Sequence, residues 1–144
     1  MTVKECYSQM GGDYNNVLSR FYDEAMIKRL LDRFIDHTSF RALEQAMTEG
    51  DTQAAFNAAH TLRGVCQSLS FTQLCGTLDS ITEALRGGNI AAAAADMDKA
   101  KREYDVTLSA IRAAWKTESE TGKAREAVMT RPPGLFIHYS SLHF

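Results

Sequence analysis

Proline is almost missing from this chain of 144 residues: Pro132 and Pro133 are the only two, and residues 1–131 carry none. Proline breaks a helix interior because it removes an amide donor and clashes with the preceding turn, so its absence leaves room for long helices. Cysteine is scarce too. Cys6, Cys66 and Cys75 are too few and too irregularly spaced for a disulfide framework or a zinc site. Cys66 and Cys75 fall at apolar helical positions, where a free thiol acts as a small hydrophobe. That usage fits a reducing compartment and predicts a cytoplasmic protein. No apolar run approaches membrane-span length, and no N-terminal apolar region resembles a signal peptide. Neither sign of charge is in excess; a net charge of -2 gives no global pull toward nucleic acid or an anionic membrane. There is no glycine-rich nucleotide loop of the P-loop type, and no acidic cluster recommends itself as a magnesium pocket. No metal and no cofactor is expected.

What is present is the material of one ordinary globular domain. Apolar residues make up 44% and charged residues 24%, and the length suffices to bury a core without staples. The periodicity is helical nearly throughout. Asp13 can cap a first short helix bearing Tyr14, Val17, Leu18 and Phe21. Met26, Ile27, Leu30, Leu31, Phe34 and Ile35 form the stripe of a second, with Asp23 and Glu24 at its start, where the helix dipole favours them. Thr38 or Ser39 caps a third helix, carrying Phe40, Leu43 and Met47 and ending at Gly50. Asp51 or Thr52 opens a fourth. A fifth runs from about Phe71 to Arg86 with Leu74, Cys75, Leu78, Ile81 and Leu85 inward, and Gly87-Gly88 stops it. Asn89 caps the sixth, where Ile90, Met97, Tyr104 and Ile111 recur every seven residues and Ala94, Leu108 and Trp115 fill a second row. Lys101 interrupts that row, which favours a bundle helix over a coiled coil. Short connections between amphipathic helices predict antiparallel neighbours. The chain is expected to be all-α, with the bundle domain spanning residues 1–117. Residues 118–144, with the Arg131-Pro132-Pro133-Gly134 break, read as a flexible or loosely attached tail. Its His138 and His143 lack companion ligands.

The fourth helix carries the functional signal. In "AAFNAAHTLRGVCQSLSF", residues Ala55, Ala58, Ala59, Leu62, Val65, Cys66 and Leu69 gather on one side. His60, Arg63, Gly64 and Gln67, spaced i, i+3, i+4 and i+7, gather on the other, roughly 150° away on a helical wheel. His60 should therefore face solvent in the middle of a helix, with Arg63 a near neighbour. Gly64 costs about 1 kcal/mol against alanine in a helix interior, so its presence calls for a reason. Singly, each of these residues reads most simply as a solvated surface position. Together on one face they balance that plain reading against a functional one in which bare backbone clears space for something to approach His60.

The stretch "AHTLRGVCQSLSFTQL", with its flanking helices, resembles a histidine-containing phosphotransfer (HPt) domain of bacterial multistep phosphorelays. The family pattern is roughly His-x-x-Lys/Arg-Gly-x-x-x-x-hydrophobic-Gly. His60, Arg63, Gly64 and Leu69 match it, and "EALRGGNIAAA" resembles the family's turn between its last two helices. The resemblance covers about Gly12 to Trp115 and implies an up-down four-helix bundle with short N-terminal helices over one end. It implies that His60 accepts a phosphoryl group from a phospho-aspartate on a receiver domain and passes it on. Arg63 would hold the phosphoryl oxygens by charge-assisted hydrogen bonds, and Gly64 would give steric clearance. Gln67 would contact the partner. Thr82 is carried over as a second partner-side residue that fixes the imidazole's orientation. Implied partners are receiver domains and hybrid sensor kinases, met by a monomer that is a phosphocarrier and has no kinase activity of its own. Three departures stand out. Arg63 replaces the commoner lysine. Gln67 is longer than the small residue many members carry. Ser70 stands where glycine is frequent, and is expected to cap the fifth helix. Two rivals remain: an interaction-only adaptor of the same fold that is not phosphorylated, and a metal-binding bundle using His37 and His60. The second lacks the Glu-x-x-His pattern such bundles use.

Overall fold

The computed structural model describes residues 2–122, with side chains from Thr2 through Ala114. Seven α-helices follow one another among the described residues: α1 (Val3–Met10), α2 (Tyr14–Phe21), α3 (Glu24–Ile35), α4 (Ser39–Glu49), α5 (Thr52–Ser68), α6 (Thr72–Arg86) and α7 (Ile90–Gly122). From α4 to α7 each helix packs against the next across a two- or three-residue connection, giving the antiparallel up-down bundle. Both α1 and α3 lie on α7, and α2 joins them.

The starts and stops have local causes. Asp13, Asp23, Asp51 and Asn89 each accept an amide hydrogen bond in the first turn of the helix they cap. Gly50 ends α4 at φ 72°, left-handed backbone that glycine adopts without a Cβ clash. The α3–α4 joint is different. Thr38 makes no side-chain cap; instead the amide of Ser39 donates to His37 Nδ1 at 3.3 Å. The helix α1 was not foreseen. Thr2 and Glu5 close a reciprocal capping box over it, and its Val3, Cys6, Tyr7 and Met10 are buried.

The core joins all these elements. Phe34 of α3 meets Phe71 edge-on at 5.0 Å, and Phe40 of α4 stacks on Tyr104 of α7 at 4.3 Å. In α7 the deepest row is not the expected one. Ala93, Ala100, Thr107 and Ala114, again seven apart, are buried with Ala110 and Ile111. Ile90, Met97, Tyr104 and Leu108 are half-buried beside them, and Ala94 is exposed. Small side chains let α7 approach its neighbours closely, and the larger ones close the flanks. Helix α7 also runs to Gly122, past the boundary expected at residue 117. The side chain of Trp115 and the tail residues 123–144 lie outside the described parts.

The turn between α5 and α6 is held from outside by the N-terminal helices. The buried Tyr7 hydroxyl donates to the Leu69 carbonyl at 2.8 Å, and the amide of Asp13 donates to the Ser70 carbonyl at 2.9 Å. Arg20 of α2 donates through Nη1 to the carbonyls of Ser68 (2.6 Å) and Gln67 (3.3 Å), which satisfies the last acceptors of α5. Ser70 does not cap α6; Phe71 occupies that position. Ser70 sits in left-handed backbone at φ 60°, the conformation that favours glycine there. Its hydroxyl donates to Asn16 Oδ1 at 2.6 Å and accepts from Arg20 at 3.1 Å. These bonds help hold a serine in a geometry with a steric cost.

Candidate functional site

Helix α5 is 17 residues long, and His60 is its ninth. Its inner face buries Ala55, Ala59, Leu62 and Cys66. His60, Gly64 and Gln67 are exposed and Arg63 is half-buried, so the wheel expectation and the observed faces agree. A site at mid-helix gains little from the helix dipole, whose influence fades within the terminal turns. Positive charge has to come from side chains.

The His60 imidazole stacks on Phe56, one turn earlier, with ring centroids 5.8 Å apart and planes 15° from parallel. The Arg86 guanidinium lies 5.2 Å from the centre of the Phe56 ring and pairs with Glu83 at 3.1 Å. Phe56 thus orients the imidazole by contact. Thr82 does not take the place expected for it. It is fully buried, and its hydroxyl donates to the Leu78 carbonyl at 2.7 Å. A side chain without exposed surface cannot touch a docked partner, so Thr82 is an internal residue of α6. The Phe56 contact was legible as an i−4 neighbour of His60.

A Cβ built on Gly64 meets no atom within 4 Å. The glycine is therefore not there to let two helices touch. Gly12 shows the contrasting case: a Cβ there would come within 2.7 Å of the Tyr7 ring and 3.0 Å of the Ser70 carbonyl. Gly76, on α6, is as open as Gly64 and was passed over in the sequence.

Arg63 has a partner that the sequence did not reveal. Its Nε lies 3.1 Å from Asp79 Oδ1 across the α5–α6 interface. The carboxylate is more exposed than the guanidinium, at 56% against 27%, so the pair contributes at most about 1 kcal/mol to stability. Both line an open groove of about 450 Å³ together with Arg20, Gln67, Cys75 and Gly76. Burial pushes the Cys75 thiol up, and the nearby Arg63 charge opposes that shift. Cys66, deeper in the core, is pushed up further by burial. Neither thiol is a ready nucleophile.

His37, the other half of the metal reading, is half-buried between helices. Its ring stacks on Phe34 at 6.5 Å, and Nδ1 is already an acceptor for Ser39. Among the described residues no three His, Cys, Asp or Glu side chains converge as metal ligands, and no helix is long and apolar enough to cross a membrane.

Comparison with known proteins gives one family and one fold. The Hpt domain family model matches residues 27–118. Among solved structures, histidine-containing phosphotransfer protein B (HptB) from Pseudomonas aeruginosa PAO1 superposes with a TM-score of 0.66 at 24% identity, over 74% of this chain and 95% of that one. At that identity the likeness is one of fold. No curated protein sequence matches the chain.

Proposed function

The chain belongs to the Hpt domain family, whose members relay phosphoryl groups on histidine, and from that premise we propose that His60 is its phosphoacceptor. The single observation that supports the assignment most strongly is an exposed imidazole at mid-helix beside a glycine with open space over it. His37 is committed to capping α4.

The reaction needs little from the chain itself. The imidazole nitrogen without a proton attacks the phosphorus of an aspartyl phosphate on a receiver. A P–N bond forms, the P–O bond to the aspartate breaks, and the carboxylate leaves as an anion. The other ring nitrogen keeps its proton. Phosphoryl transfer of this kind runs through a loose transition state, so positioning and charge stabilisation dominate. Phe56 supplies positioning by its stack on the ring. Arg63 supplies charge to the phosphoryl oxygens. Gly64 admits the receiver's loops to the backbone, and the exposed Gln67 contacts them. Receiver domains and hybrid sensor kinases are the partners, docking transiently with a surface at the small end for protein interfaces. The chain acts as a phosphocarrier in the cytoplasm, in keeping with its free cysteines.

Incubation with a phosphorylated receiver tests the reading. The expected product is a phosphoryl label stable in alkali and lost in acid, absent from His60→Gln. Persistence of the label in that variant removes His60 as the acceptor, and no label from any receiver of the same organism leaves the adaptor reading in place.

A further inference from the structure

We propose that Asp79 is a positioning residue that holds Arg63 away from His60 in the resting protein and releases it when His60 is phosphorylated. The inference rests on the reading of His60 as acceptor. Arg63 is the cation closest to His60 in sequence on its exposed face, yet its guanidinium is turned across to α6, where Nε meets Asp79 at 3.1 Å. The groove that Arg63 and Asp79 line does not include His60. The His60 ring instead sits against Phe56, toward the Arg86 end of the two helices.

The ion pair is built to exchange. Asp79 is more than half exposed, so water screens its hold on the guanidinium. Asp79 is the one ion-pair partner of Arg63 among the described residues. A phosphoryl group carries about two negative charges and three acceptor oxygens against the single charge of a carboxylate. It also arises one turn from Arg63 on the same helix face. A phosphoryl group on His60 therefore outcompetes Asp79 for the guanidinium. The carboxylate subtracts part of what Arg63 contributes to the phosphorylated state, which keeps that state poised to pass its phosphoryl group on.

Phosphoramidate phosphorylates histidine without a receiver, so the exchange can be followed independently of any relay. In the full chain labelled with 15N, the Arg63 Nε–H resonance is expected to move when wild type is phosphorylated. It should stay in place in His60→Gln treated identically. An unmoved signal in phosphorylated wild type overturns the proposal. In a second arm, the equilibrium between a phosphorylated receiver and His60 is measured in four proteins: wild type, Asp79→Asn, Arg63→Gln and the double variant. Asp79→Asn is expected to shift the equilibrium toward phospho-His60 by up to about fivefold, the range of an exposed ion pair, and to lose that effect when Arg63 is absent. A shift the other way makes Asp79 a brace for Arg63 and overturns the proposal. An equal shift in both backgrounds reduces it to long-range charge and overturns it too. If no receiver charges wild type while the resonance still moves on chemical phosphorylation, the relay reading fails and the exchange stands.

Discussion

His60 and His37 are the two histidines with described surroundings, and each stacks on an aromatic ring of its own helix region. Beyond that they differ in every respect that matters to chemistry. His37 sits at a helix joint and is half-buried, its Nδ1 taken by the Ser39 amide. Burial pushes its imidazole below the ordinary histidine value. His60 is exposed at the centre of α5, with open space over Gly64 one turn on. A stacked histidine is thus no sign of function by itself. What sets His60 apart is its exposure and the clear approach over Gly64.

The largest expected effect removes one side of this comparison. His60→Gln should abolish the phosphoryl label, and His37→Gln should keep it, as measured by label stability in acid and alkali. Next comes the cation three residues along the same helix. Arg63→Gln should slow transfer from a phosphorylated receiver by roughly tenfold or more, the scale of a lost charged hydrogen bond, with little change in melting temperature. Gly64→Ala separates access from packing. With nothing within 4 Å of the new Cβ, the helix should gain up to about 1 kcal/mol in denaturant unfolding, while transfer slows. Gly76→Ala, equally open, should give the gain in stability with a smaller effect on transfer. The smallest effects belong to His37. Its ring titrates below the unfolded value of 6.5, so the unfolded chain binds the extra proton first as pH falls. Its contribution is full above about pH 6.5 and is lost as pH drops through the folded value. Unfolding titrations should show that loss in wild type and a flatter profile in His37→Gln, which also gives up about 1 kcal/mol of capping.

Much of this was legible from local pattern. The caps at Asp13, Asp51 and Asn89, the stop at Gly50 and the exposed face of α5 follow from rules that act within one turn of helix. What escaped depended on more distant partners or on small side chains. Helix α1 is short and only weakly periodic, although Thr2 and Glu5 at i, i+3 carry the capping-box signature. The buried row of α7 is mostly alanine, with Thr107 among it, in a segment rich in alanine where counting apolar residues cannot choose a face. Ser70 reads locally as a cap, and only its bonds to Arg20 and Asn16 of α2 show what role it has. Thr82 and Asp79 sit three residues apart on α6, one internal and one outward. Which of them meets the functional face depends on the packing register of α5 against α6, and no periodicity in a single helix contains that register.

The most direct test of the central claim sets both histidines in one sample. Wild-type protein charged by a phosphorylated receiver is digested under alkaline conditions, and the modified residue is located by mass spectrometry. A phosphoryl group is expected on His60 and none on His37; a group on any other residue, or none on His60, refutes His60 as the phosphoacceptor.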